Sequence, residues 1–153
     1  MTLDAYVRRR LAGPGGDLGM LGRMFSRSFG AGSFAEFWRY WNPVYSFHLD
    51  RYCYRPLRRR RVPRSLAVIT TFAASGFILH DVPFWWGVRV LVTGNLPVPF
   101  VTVWFVTMAV FALVGEQLHL RYATLPVVAR VAINVAQIAA ACFAALGLVH
   151  LAT

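Results

Sequence analysis

Between Pro126 and Leu151 a single charge, Arg130, interrupts an otherwise uncharged run. At about 1.5 Å per residue, a helix of that length exceeds the roughly 30 Å of a bilayer core. Two further runs share this character. Ser65 to Val82 carries no charge before His80 and Asp81, and Pro83 ends it. Pro97 to Leu118 carries only Glu116, near its end. The three runs predict an all-α integral membrane protein with about three transmembrane helices, near residues 65–82, 97–118 and 126–151.

Composition agrees. Of 153 residues, 58% are hydrophobic and 14% charged, whereas a soluble domain carries roughly 25% charge. Such a chain is not disordered, and it fits an ordinary water-soluble globule poorly. Its length allows one domain. The net charge of +10 comes from sixteen arginines against six acidic residues, with no lysine. A strongly basic chain can signal nucleic acid. Here the arginines gather at the ends of apolar runs, as in membrane proteins, so no nucleic-acid partner is expected. Cys53 and Cys142 lie too far apart in sequence to imply a disulfide framework or a thiolate metal site. There is no Gly-x-Ser-x-Gly elbow and no Gly-rich phosphate loop.

Residues 1–33 read as a flexible or amphipathic N-terminal tail. Arg8-Arg9-Arg10 precede the break Gly13-Pro14-Gly15-Gly16, and no apolar stretch follows to make a signal peptide. Leu18, Met20, Leu21, Met24, Phe25 and Phe29, with Arg23 and Arg27 between them, suit either a short helix on anionic lipid or a poorly ordered tail. Residues 34–153 form the membrane domain. Its first part is an amphipathic helical segment broken by proline. Phe34, Phe37, Trp38, Trp41 and Tyr45 make a helical stripe, but Glu36, Arg39 and Asp50 make the segment too polar to span lipid freely. Pro43 interrupts it. Proline disfavours the α region before it and suits the first helical position, and Asn is a strong N-cap. Asn42 is therefore expected at a helix break.

Arg55, Arg58 to Arg61 and Arg64 form a dense basic cluster before the first run. Positive charge beside a span marks its cytoplasmic side. This places the N-terminus and the cluster in the cytoplasm, with the plasma (inner) membrane as the expected location. Arg121 and Arg130 fall back on the same side, and Arg89 in the outer loop. Trp85, Trp86 and Trp104 are candidate interfacial aromatics.

His80 carries the strongest chemical signal. Ionisable groups at the edge of an apolar run are expensive to keep, and a neutral imidazole can serve as a general base. A helix-end histidine at the aqueous interface is the alternative. Gly76 and Ser75 would let another helix or a substrate chain approach. Asp81 is its sequence neighbour and does not face it on a helix. Glu116 and His119 form a Glu-x-x-His pair. Two such pairs can hold a di-metal centre, but a single pair predicts a polar helix end and no metal site. His48 reads as a surface residue, and His150 carries little signal. Asn134 and Gln137 suit hydrogen bonds to a neighbouring helix.

Two stretches, read together, resemble the membrane-bound O-acyltransferase family. The first is Phe37-Trp38-Arg39-Tyr40-Trp41-Asn42-Pro43-Val44, followed by Tyr52-Cys53-Tyr54-Arg55-Pro56-Leu57. The second runs from Thr71 through Ser75 to His80 and Asp81. The family's histidine falls on His80, and its Asn or His position on Asn42. The resemblance implies transfer of an acyl group from a thioester, usually acyl-CoA, to a hydroxyl of a lipid, glycan or other acceptor. His80 would deprotonate the acceptor, and Asn42 would position substrate or polarise the carbonyl. Trp41, Arg39, Tyr45, Ser75 and Asp81 would contact substrate. Arg55, Arg58 and Arg59 are candidates for the CoA phosphates, or mark topology against lipid headgroups. No cofactor is implied beyond the donor. Family members are much longer and cross the membrane many more times. A chain of this length is therefore expected to form a homo-oligomer or to use a membrane partner. The alternative is a non-catalytic remnant or subunit that stabilises such a partner.

Overall fold

The computed structural model describes residues 1–16, 18–83 and 99–152. Regular structure among them is entirely helical. Helix α1 covers Leu3–Leu11, α2 Leu18–Phe29, α3 Phe34–Tyr40 and α4 Pro43–Leu49. A π-helical turn, Asp50–Tyr54, leads into α5, Arg55–Arg59. Helix α6, Arg64–Gly76, continues into a second π turn, Phe77–Asp81. Helices α7, Phe100–Gln117, and α8, Val127–Ala152, complete the chain.

The last two expected spans are continuous helices. Phe100–Gln117 and Val127–Leu151 are long and apolar enough to cross a membrane. The first expected span is helical in two pieces, α6 and the π turn that carries His80. Helix α7 lies between α6 and α8 and packs against both. Trp104 joins the last pair, donating its indole N–H to the carbonyl of Ile138 at 3.2 Å. Trp85, Trp86 and Arg89 lie outside the described residues.

The N-terminal segment is packed into the body. Thr2 caps α1, its hydroxyl accepting the N–H of Ala5, and Leu3, Val7 and Leu11 repeat every four residues along one face. Val7 and Leu11 are buried with Met24 of α2, beside Tyr40, Trp41 and Val44. A second core joins α3 to the long helices through Phe34, Phe37, Met108, Ala112 and Ala141.

Local chemistry sets the start of α3 and of α4. Ser33 caps α3 by accepting the N–H of Glu36, whose carboxylate reaches back to the N–H of Gly32 at 3.0 Å. This is close to the reciprocal arrangement of a capping box. Asn42 stands at the break between α3 and α4 with φ 39° and ψ 69°, a left-handed conformation that asparagine tolerates. Its Oδ1 accepts the N–H of Tyr45, and Pro43 opens the new helix. Asn134, fully buried in α8, donates to the carbonyls of Phe29 and Ala31 and accepts from the Tyr122 hydroxyl. Gln137 donates to the same hydroxyl. The two polar groups of α8 thus fasten it to the C-terminal end of α2 and to the α7–α8 loop.

Candidate active site

The π turn carries His80 to the side of α6 that meets α7. A histidine Nδ1 bonded to a carbonyl must be the donor, because a carbonyl only accepts. His80 Nδ1 lies 3.0 Å from the carbonyl oxygen of Ser75. In the neutral imidazole this bond leaves the lone pair on Nε2. The ring also rests against Phe105 of α7, with centroids 4.7 Å apart. Phe105 in turn meets Trp38 and Phe72, so an aromatic chain runs from α3 to the imidazole.

The neighbouring residue has a different task. Asp81 is 6% exposed. Its carboxylate accepts the N–H groups of Val101 at 3.1 Å and Thr102 at 2.7 Å, and the Thr102 hydroxyl. These amides belong to the first turn of α7 and have no partner within the helix. A carboxylate at this end also opposes the positive end of the helix dipole. Gly76 lets α7 come this close: a Cβ there would lie 2.7 Å from the Thr102 Cα.

His80 and Asn42 line one cavity of about 250 Å³. Trp41, Tyr45 and Ser75, also singled out by the sequence, line it with them. Asn42 Oδ1 is held in the α4 cap, and among the described residues its amide nitrogen has no hydrogen-bond partner. Asp50 and Tyr54, at the two ends of the first π turn, line the cavity too. Single π turns often occur at functional sites; here both of them border this cavity.

The other sequence candidates lie elsewhere. Asp81 and Arg39 do not line the cavity. Arg39 offers its backbone carbonyl to Arg10 and contributes to a separate cavity. Arg55 pairs with Asp50 at 2.7 Å, so it borders the cavity wall without entering it. Arg58 donates to the carbonyl of Val62, and Arg59 is exposed. Glu116 is engaged by Arg64, both carboxylate oxygens accepting from one guanidinium nitrogen at 3.0 and 2.7 Å.

Several lining residues are not singled out by the sequence. Tyr6 and Arg10 of α1 close one wall. The Arg10 guanidinium lies 4.8 Å from the Tyr6 ring centroid and donates to the Arg39 carbonyl at 2.8 Å. Burial pushes the Tyr6 hydroxyl up from its usual range and the Arg10 guanidinium down. The signal for this wall is present in the sequence: the capped Leu3, Val7, Leu11 repeat predicts a packed helix, which brings Tyr6 and Arg10 with it.

The fold and cavity define a helical membrane protein with a histidine and an asparagine converging beside its long apolar helices. Residues 19–147 match the family model of MBOAT, the membrane-bound O-acyltransferase family, and the chain belongs to that family. Helix α1, with Tyr6 and Arg10, precedes the matched region. No curated protein and no solved structure matches the chain.

Proposed function

We propose that this chain transfers an acyl group from acyl-CoA to a hydroxyl acceptor in the cavity shared by His80 and Asn42. The observation that carries the reading is their convergence on one cavity, with His80 Nδ1 tied to the Ser75 carbonyl. In this mechanism Nε2 takes the proton of the acceptor hydroxyl as its oxygen attacks the thioester carbonyl. The Asn42 amide donates to the carbonyl oxygen as negative charge gathers there. The carbon–sulfur bond then breaks, and the proton on His80 passes to the leaving CoA thiolate. Trp41, Tyr45 and Ser75 shape the walls, and Arg10 adds a cation to them. Arg55, Arg58 and Arg59 supply outer contacts for the CoA phosphates. The N-terminus and the arginine cluster face the cytoplasm in this reading, in the plasma membrane. A second copy or a membrane partner completes the walls.

One observation favours a second reading. A cavity of about 250 Å³ is smaller than the roughly 300–1,000 Å³ of ordinary ligand sites, as suits a non-catalytic subunit of a larger assembly. Membranes containing this chain, given labelled acyl-CoAs of several lengths, separate the two. Transfer that vanishes in His80→Ala at matched abundance is the expected result. Equal transfer by wild type and His80→Ala removes His80 from the mechanism. Absence of transfer from both supports the subunit.

A further inference from the structure

A second cavity, of about 710 Å³, lies where α3 meets the start of α6, the end of α7 and the first turns of α8. Arg39, Arg64 and Arg121 line it together with Glu36 and Glu116. Both carboxylates are already committed. Glu116 is held by Arg64, and Glu36 accepts the Gly32 N–H and the Tyr40 hydroxyl. Among the described residues, the guanidinium groups of Arg39 and Arg121 have neither an ion-pair nor a hydrogen-bond partner. The cavity therefore offers two free planar cations, which suit the oxygens of a phosphate.

The surroundings distinguish a lipid phosphate from a soluble one. The cavity sits at one end of two helices long enough to cross a membrane, the depth at which headgroups lie. Leu120, which lines it, is 55% exposed, and Leu118 and Val128, at the adjoining ends of α7 and α8, are 64% and 80% exposed. A free phosphate has no use for that apolar rim, whereas the glycerol and acyl chains of a phospholipid would cover it. Arg58 to Arg61, exposed just before α6, add positive charge at the same end, as juxtamembrane basic clusters do on anionic lipid. We propose that this cavity binds the phosphate headgroup of an anionic phospholipid, held by Arg39 and Arg121, with its chains along α7 and α8. The proposal does not depend on acyl transfer at His80.

The test is native mass spectrometry of the full chain in neutral detergent, with phosphatidylglycerol and phosphatidylcholine in equal amounts. Wild type is expected to retain phosphatidylglycerol in preference. The double variant Arg39→Gln, Arg121→Gln should lower that preference about tenfold, while Arg58→Gln, Arg59→Gln leaves most of it. Loss of preference in the second pair alone, or preference unchanged in the first, overturns the proposal. CoA and inorganic phosphate, added to wild type, separate the phosphate sources without any variant. Displacement of the lipid by micromolar CoA or millimolar phosphate assigns the cavity to a soluble phosphate and overturns the lipid assignment. Equal retention of both lipids by wild type overturns it as well.

Discussion

Asp81 holds the first turn of α7 through Thr102, accepting its backbone N–H at 2.7 Å and its hydroxyl as well. The contact fixes the helix that bears Phe105 against the turn that bears His80. Asp81→Ala would leave two half-buried amides without an acceptor, costing about 1–3 kcal/mol. Asp81→Asn keeps one acceptor oxygen and should cost less. Thermal unfolding in detergent orders the two variants. If Asp81→Ala melts with wild type, the carboxylate is not what secures the turn.

Asn42 has two separable roles. Its Oδ1 caps α4, and its free amide nitrogen belongs to the proposed chemistry. Aspartate caps helices as well as asparagine and tolerates left-handed backbone. Asn42→Asp should therefore melt near wild type while acyl transfer falls about 10²–10³-fold, the usual loss of one donor to a developing oxyanion. Undiminished transfer in this variant removes the amide from the mechanism.

Two glycines should respond in opposite directions to the same change. A methyl at Gly76 would press on the Thr102 Cα at 2.7 Å and the Val101 carbonyl at 3.0 Å. Gly76→Ala is expected to destabilise by about 1–3 kcal/mol. Gly22, inside α2, has open space around it, so Gly22→Ala should stabilise by about 0.5–1 kcal/mol through backbone entropy. Melting curves of both variants in one detergent check the contrast. A neutral Gly76→Ala would mean that α6 and α7 are free to separate.

Ser28 is fully buried, and among the described residues its hydroxyl has no hydrogen-bond partner. Burying such a group costs about 1–3 kcal/mol by mutational measures. Ser28→Ala removes the orphaned group at little change in volume. It should leave stability unchanged or raise it by up to about 1 kcal/mol. A clear drop in melting temperature would show that the hydroxyl is bonded in the protein.

Much of the scaffold is legible in the residues. The uncharged runs mark α6 to α8, and the Asn42-Pro43 pair marks the break between α3 and α4, because each rests on local chemistry. The cavity is less legible, since its walls depend on packing. Arg39 and Trp38 are adjacent, so a helix turns them about 100° apart; Trp38 lines the His80 cavity and Arg39 the other. The resemblance groups Arg39 and Asp81 with the substrate contacts, yet Asp81 spends its carboxylate on amides 20 and 21 residues later. The π turns leave no mark in residue type. They depend on how α4 and α6 are seated, which no local pattern encodes.

The bonds of Asn134 bear on the order in which this protein can be assembled. Its amide reaches a carbonyl 105 residues earlier in the chain. During synthesis α2 is complete long before α8 exists, so the receiving carbonyls of Phe29 and Ala31 are made first. An asparagine amid hydrocarbon finds nothing to bond, whichever way the helix is rolled. Only one rotation of α8 about its own axis brings Asn134 to the waiting carbonyls. The first-made segment thus acts as a template for the roll of the last helix, and a chain lacking that segment would leave the Asn134 amide without its two carbonyls and the roll to Tyr122 and Trp104 alone.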